Sequence, residues 1–539
     1  MSYHKKALAL VLFIGLFCLL AGSVSATVVY KDGTARIQSG TNNLKDIKDT
    51  NYLEVKNGIC YVKKPIVVAS TGTLKVNTTS CSTVKMYATS LITIYGKIYF
   101  DGVKVTSYDP KTGKPIELSR TNYSTVRPDI VTRSSAQYFS AKNSEFSYLG
   151  YYNSSSSHWG VALRFLPKAY IDSSKFHHNY FGFYTFDSDN VTIQNSEVYD
   201  NLEYGIDIHD FSDNFVASNN VVYNNGNHGI ILSKYNENGK IIGNKVYDHT
   251  QNAFVKGVVK TYGTHGIELH QESNNSEISG NELTNNRVGI KLANSHDNVV
   301  KNNKVNSDLE QGFYLTESHN NQIAGNQVVE STKEPLYSFN SFYNAYSLNS
   351  WGDADDILYV KIDDNGVITR YKFPAPGADE KLNSYSSPPD SSAQPLMINS
   401  VQSQDIATSK VAVNDLPTIV EDNHDDTEVD KVRDGKLGIK SNKVRTKAEE
   451  KAYVEKIKKY EKGLAQELTA EVKIKDKLAV DKTEIVMEDN HDDAEVDKVR
   501  DAKLGVKSKV RTREEERAYV DKIRKYEKDI ADQEAGKKK

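Results

Sequence analysis

The sequence predicts an all-β fold, a right-handed parallel β-helix, on three observations. A glycine recurs at positions 160, 182, 205, 229, 266, 289 and 312, at spacings of 22, 23, 24, 37, 23 and 23 residues, and such a period is one coil of a solenoid. One and three residues after each glycine the chain is apolar almost throughout, as in Val161 and Leu163, Ile206 and Ile208, Ile267 and Leu269, or Phe313 and Leu315. Alternation with period two puts these side chains on the inner face of a strand and the intervening ones on the outer face. Half a coil later, Ser196, Asn220, Asn244, Asn281, Asn303 and Asn326 each stand two residues before an apolar residue, and stacked Asn side chains can bond along a turn. Leucine-rich repeats share the period but need a recurring Leu pattern that is missing, and helical repeats need longer units.

The elements follow in order. Residues 1–26 read as a secretory signal, with Lys5 and Lys6 ahead of an apolar run from Ala7 to Ala21 and Val24-Ser25-Ala26 as the cleavage site. Residues 27–140 are strand-rich and less regular, a cap plus the first coils. Residues 141–373 form the β-helix proper with its C-terminal closure; the one long spacing, 37 residues, places an insertion within Gln251 to Thr264. Residues 374–409, rich in Pro, Ser, Asp and Gln, read as a linker. A tandem duplication follows, 410–476 and 477–539, in which Glu421 to Asp426 is echoed by Glu488 to Asp493. Each copy ends in a predicted helix opened by a capping box, Thr446 with Glu449 and Thr512 with Glu515. Each helix carries an apolar stripe: Tyr453, Ile457, Tyr460 and Leu464 in one, Tyr519, Ile523, Tyr526 and Ile530 in the other. The stripes can pair with each other or with a protein or cell-surface partner.

Composition narrows the function. In 539 residues, 68 Lys and Arg nearly balance 71 Asp and Glu, so bulk charge points to no nucleic-acid partner. The 33 Tyr beside 2 Trp and 4 Met suggest a wet, stackable surface of the kind that holds sugars. No stretch beyond the signal is long and apolar enough to span a bilayer, so the reading is a secreted, periplasmic or cell-surface protein. Export leaves Cys60 and Cys81, and a disulfide between them is possible in an oxidising compartment. Asn77, Asn122, Asn153, Asn190 and Asn274 each open an Asn-X-Ser/Thr triplet. The acidic runs around His424 and His491 lack the spacing of an EF-hand loop, and neither a metal site nor a cofactor is expected.

The outward positions two and four residues after each glycine form adjacent columns, because coils stack at about 4.8 Å. Down the solenoid they read Ala162/Arg164, Tyr184/Phe186, Asp207/His209, Ile231/Ser233, Glu268/His270, Lys291/Ala293 and Tyr314/Thr316. Cations between aromatic rings suit a polyanionic sugar chain, which marks Arg164, Tyr184, Phe186, Glu268, His270, Lys291 and Tyr314 as candidate substrate contacts. Asp207, His209 and Asp210 concentrate on one coil.

Tyr204-Gly-Ile-Asp-Ile-His-Asp210 resembles the Tyr-Gly-Ile-Asp-Pro-His-Asp signature of the periplasmic mannuronan C5-epimerases of alginate biosynthesis. Flanking segments agree in order: Arg127-Pro128, Phe146 to Asn153, Tyr180 to Tyr184, and His228 to Lys234. The similarity covers roughly residues 85–335 and excludes the tail. It implies a uronate polymer as substrate, His209 as the base that removes the C5 proton, Asp207 and Asp210 as groups that orient it, and Lys234 as the cation neutralising the uronate carboxylate. That cation is a chemical need, since removing a proton beside a carboxylate creates a dianion. Carboxylates on both sides would favour charged His209, whereas the neutral imidazole abstracts the proton. Two departures stand out: Ile208 replaces the family's Pro, and Lys234 its Arg. His270 behind Glu268 repeats the acid-x-His pattern and fits a substrate hydrogen bond or a second proton carrier. A lyase on the same polymer and a non-catalytic glycan-binding protein are the competing readings.

Overall fold

The computed structural model describes residues 26–374, apart from 153–157, 256–257, 307–308, 330, 332–334, 342, 353–355 and 363–367, together with 409–411 and 513–534. The signal and most of the linker and tail, including the first tail helix, lie outside the described residues.

The predicted solenoid is present. Strands of successive coils pair in parallel on three faces. The first face runs through Asp129–Thr132, Val161–Arg164, Phe183–Phe186, Ile206–His209, Ile230–Ser233, His265–His270, Val288–Ala293, Phe313–Thr316 and Leu336–Phe339. Its register aligns Tyr184 with Asp207, Ile231, Glu268, Lys291 and Tyr314, and Phe186 with His209, Ser233, His270, Ala293 and Thr316. The period-two reading therefore holds residue for residue, and Ile206, Ile208, Ile230, Leu232, Ile267 and Leu269 are fully buried in one continuous core.

The recurring glycine has a steric cause. A Cβ on Gly182 would lie 2.4 Å from the carbonyl oxygen of Gly205 and 2.5 Å from a Val198 methyl, and one on Gly205 would lie 2.5 Å from the oxygen of Gly229. At this corner the backbones of neighbouring coils and the third face crowd together, so no side chain fits.

The asparagine ladder is also present. Asn220 donates from Nδ2 to Asn244 Oδ1 at 3.0 Å, Asn244 to Asn281 at 3.0 Å, Asn281 to Asn303 at 2.9 Å and Asn303 to Asn326 at 3.0 Å, while each Oδ1 also accepts the preceding residue's backbone N–H. Each buried turn thereby satisfies its polar groups from the next coil. A second ladder runs Asn201, Asn225, His249, Asn286. On the third face Tyr199, Tyr223 and Tyr247 stack with ring centroids 4.9 Å apart, the coil spacing itself.

At the N-terminal end, Thr27–Lys31 pairs antiparallel with Thr34–Asn43, which starts the first coil by pairing in parallel with Ile66–Val68. Cys60 and Cys81 form the disulfide, Cα atoms 5.7 Å apart. The 37-residue spacing resolves into an antiparallel hairpin, Asn252–Val255 with Val258–Gly263. At the other end Asp356–Ile362 extends the first face and turns back antiparallel into Ile368–Pro374, against which Ser409–Val411 adds a strand. Of the two expected tail helices one is described, Arg513–Glu534, and it rests on the first face.

Candidate active site

The outward residues of the first face converge where the strands end. Strand Ile206–His209 projects Asp207 and His209 to the same side, and His209 Nδ1 lies 3.5 Å from Asp207 Oδ1. The ring of Tyr184, one coil back, stands 5.8 Å from the imidazole. The chain then turns through a left-handed corner: Asp210 and Phe211 have φ of 30° and 53°, and the next coil repeats the corner with Lys234 at 69° and Tyr235 at 60°. In an unbroken strand the residue after an outward one points into the core. The left-handed corner lets Asp210 and Lys234 stand beside the outward columns, at a backbone cost of about 1–3 kcal/mol per non-glycine residue. Phe165, Asp187, Gln271, Asn294 and Glu317 hold the corresponding corner on other coils.

This geometry brings Asp207, His209, Asp210 and Lys234 together on two adjacent coils. All are buried. Burial pushes the Asp207 carboxyl above the usual range, His209 pulls it down, and Asp210 pushes it up again. Arg164, also buried, lies 5.3 Å over the ring of Phe186. Ile208 points into the core, so replacing the family's Pro leaves the outward residues in register.

A second cluster sits one to three coils beyond the His209 strand. Glu268 Oε2 accepts from His265 Nδ1 at 2.9 Å and from His228 Nε2 at 3.1 Å, and its other oxygen faces His270 Nδ1 at 3.4 Å and Lys291 Nζ at 3.5 Å. Burial raises the Glu268 pKa, but Lys291 and the histidines outweigh it and hold the carboxyl well below the usual range. Burial lowers both His228 and His265, which stack at 4.4 Å. The ligand atoms of His228, His265 and Glu268 lie within 4.8 Å of one another, close enough for a metal ion. The hydrogen bonds do not fit one: His228 Nδ1 accepts the His265 backbone N–H at 2.9 Å, so its Nε2 carries the proton given to Glu268, and the Lys291 ammonium stands where a dication would be repelled. Lys291 also lies 5.5 Å over the ring of Tyr314. The predicted contacts thus fall into two groups, Arg164, Tyr184 and Phe186 around the His209 coil, and Glu268, His270, Lys291 and Tyr314 around the carboxylate hub.

Sequence reasoning singled out neither His265 nor Asp187. The signal for the histidines was a His directly before the ladder glycine on consecutive coils, His228-Gly229 and His265-Gly266. For Asp187 it was the corner position, one beyond the columns considered. Arg127, within a family-like segment, is structural: fully buried, it donates to the carbonyls of Gly150 at 2.6 Å and of Leu149 and His178 at 2.9 Å, and burial lowers its pKa to about 9.

The helix Arg513–Glu534 covers these outward columns. Tyr519, Val520 and Ile523 join Tyr184, Phe186, Phe211 and Tyr235 in one buried apolar cluster. Arg517 and Arg524 both donate to Asp187, at 3.0 Å each, Lys234 Nζ lies 3.1 Å from Glu516 Oε1, and Arg513 pairs with Glu237. The side chains of Tyr526 and Ile530, expected in the same stripe, lie outside the described residues, as does the capping pair Thr512 and Glu515.

Comparison with known proteins bears on this face. A family model described as "Right handed beta helix region" matches residues 119–257, and one described as "Periplasmic copper-binding protein (NosD)" matches 246–356. The mannuronan C5-epimerase of Pseudomonas fluorescens is 28% identical over 193 residues, 33% of this chain and 36% of that protein. The enzyme of Pseudomonas aeruginosa is 25% identical over 176 residues, 30% of this chain and 31% of that one. The chain therefore spans about a third of the length of the curated relatives it matches. The crystal structure of the periplasmic alginate epimerase AlgG superposes with a TM-score of 0.52 at 22% identity, covering 60% of this chain and 74% of that one. A segment of the chain is thus related to the mannuronan C5-epimerases, as the heptad around His209 implied. Among the described residues no helix is long and apolar enough to cross a membrane.

Proposed function

We propose that the protein is an exported hexuronan C5-epimerase that inverts C5 of uronate residues, mannuronate to guluronate in type, within a polymer. The observation that carries this reading is the pairing of His209, 3.5 Å from Asp207, with Lys234 at the corner of the next coil, inside a segment whose relatives are mannuronan C5-epimerases. His209 takes the C5 proton. The electron pair of the broken C–H bond passes into the carboxylate, and the ammonium of Lys234 stabilises the second negative charge. A proton returned from the opposite face completes the inversion, and the reaction is redox-neutral. Asp207 and Asp210 hold the imidazole in place and favour its charged form once it carries the proton. Lys supplies a point charge where the family's Arg supplies a planar clamp, so the natural hexuronan can differ from mannuronan.

A lyase would form the same intermediate and expel the C4 oxygen instead. Incubation with polymannuronate separates the readings. The epimerase changes the C5 configuration without cutting the chain, a lyase raises unsaturated-sugar absorbance, and a binding protein does neither. Unsaturated products, or unchanged polymer that stays bound, would refute the epimerase.

A further inference from the structure

The helix Arg513–Glu534 lies where the polymer would have to lie. Its contacts run from Lys234 and Glu237, near its N-terminus, to Asp187 and the ring of Phe165, 5.6 Å from the Arg524 guanidinium. Phe165, Asp187, Asp210 and Lys234 mark four successive coils, a span of about 14 Å at the inter-strand spacing. The eleven steps from Arg513 to Arg524 rise about 16 Å as helix. The helix therefore runs along the solenoid axis, across the stacked columns that bear His209.

Its contacts match the chemistry of a polyuronate. Glu516, itself buried, presents a carboxylate to Lys234, the cation assigned to the uronate carboxylate. Tyr519, Val520 and Ile523 cover Tyr184 and Phe186, the rings assigned to sugar faces. Arg517 and Arg524, seven residues or about two turns apart, clamp Asp187 between them, with Arg517 also 4.9 Å over Phe211. Burial raises the Asp187 carboxyl while both arginines pull it down, and a carboxyl so buried would be costly to leave without its cations.

We propose that this helix is an internal competitor for the polyuronate, docked along the groove with the Glu516 carboxylate seated on Lys234 in place of a uronate carboxylate, and that it leaves when substrate binds. The proposal rests on the reading of the groove as a polyuronate site. The tail duplication gives it a second element. Glu450, Lys451, Tyr453, Val454, Ile457 and Lys458 repeat the contact positions Glu516, Arg517, Tyr519, Val520, Ile523 and Arg524. Both copies keep the carboxylate and the apolar anchors, but lysines replace the two arginines in the first, which fits it for weaker docking on Asp187. A tethered competitor acts at an effective concentration on the order of mM, so it raises the apparent KM and leaves kcat alone.

The test uses full-length chains. Ile523→Asp removes a buried anchor from the helix without touching the solenoid, and Arg517→Ala with Arg524→Ala removes the clamp independently. Hydrogen exchange should show the helix amides protected in the wild type and fast in both variants. The KM for polymannuronate should fall at least fivefold at unchanged kcat. A synthetic peptide of residues 511–534 added to either variant should raise KM again, and the same peptide with Glu516→Gln should do so far less. Helix amides that exchange freely in the wild type would overturn the proposal, as would helix release with no gain in polymannuronate affinity. Variants that bind polymannuronate more tightly yet invert no C5 would support the competitor and refute the epimerase, which keeps the two failures apart.

Discussion

Asn220, Asn244, Asn281, Asn303 and Asn326 hold one interior position coil after coil, whereas the outward corner runs Asp187, Asp210, Lys234, Gln271, Asn294 and Glu317. In the interior each coil presents what the next coil needs, and a buried amide finds its partner by translation along the axis. At the corner the residue type changes down most of the stack, from the like-charged pair Asp187 and Asp210 to Lys234, Gln271, Asn294 and Glu317. Partners there come from outside the repeat: Asp187 takes Arg517 and Arg524 of the tail helix, and Lys234 takes Glu516. Repetition stabilises the solenoid, and the place where it stops is where an imidazole, carboxylates and an ammonium meet.

This comparison can be broken from either side. The largest effect is expected for Ile206→Asp, which puts an unpaired carboxylate into a fully buried stack at a cost of several kcal/mol; a soluble, cooperatively melting variant would show the register to be wrong by one residue. Asn244→Ala removes one rung and leaves the Asn220 N–H and amide and the Asn281 carbonyl oxygen short of partners, so denaturant unfolding should show a loss of about 3 kcal/mol or more. At the corner, Lys234→Gln should lower turnover roughly 10²-fold while the solenoid stays folded and the helix, without the cation paired to Glu516, loosens, and Lys234→Arg should keep the activity. Equal rates for Lys and Gln would leave the uronate carboxylate to another cation such as Arg164 or Lys291.

The smallest effect is a pH dependence. His249 stands in the second ladder, accepting from Asn225 at 3.2 Å and donating to Asn286 at 3.0 Å, and burial lowers its pKa to about 4. Because the folded value lies below the unfolded 6.5, the unfolded chain takes up the proton first as pH falls. This contribution to stability is complete above pH 6.5 and is lost between 6.5 and 4, about 3 kcal/mol in all. His228 and His265 act in the same sense, while Asp187 and Asp207, with raised values, act oppositely. His249→Asn completes the ladder with a group that does not titrate. It should remove this slope, measured as the difference between the two proteins' unfolding free energies at pH 7 and pH 4.5.

The repeating part of the molecule was legible because its rules are local. Period two fixed which of Asp207 and Ile208 faces out, the glycine spacing fixed the register, and the excess of one spacing located the hairpin after Gln251. The corner was harder, since Lys234 sits at a position that an ideal strand would point inward and only its left-handed backbone brings it to the outward side. The hub around Glu268 depends on His228 and His265, residues that precede a glycine and meet only through stacking. The docked helix was legible as an amphipathic stripe, but a stripe names no partner. That Tyr519 and Ile523 pack on Tyr184 and Phe186 follows from tertiary contacts between residues more than 300 apart in sequence.

The central claim is that His209 removes the C5 proton of a uronate whose carboxylate is held by Lys234. It is tested most directly by incubating polymannuronate with full-length wild type and His209→Ala in deuterated water and reading C5 by NMR. The wild type should place solvent deuterium at C5 with inverted configuration, and His209→Ala should slow that exchange roughly 10²–10⁴-fold while binding the polymer and melting as the wild type does. Exchange by His209→Ala within about threefold of the wild-type rate, below what loss of a general base costs, would contradict the account.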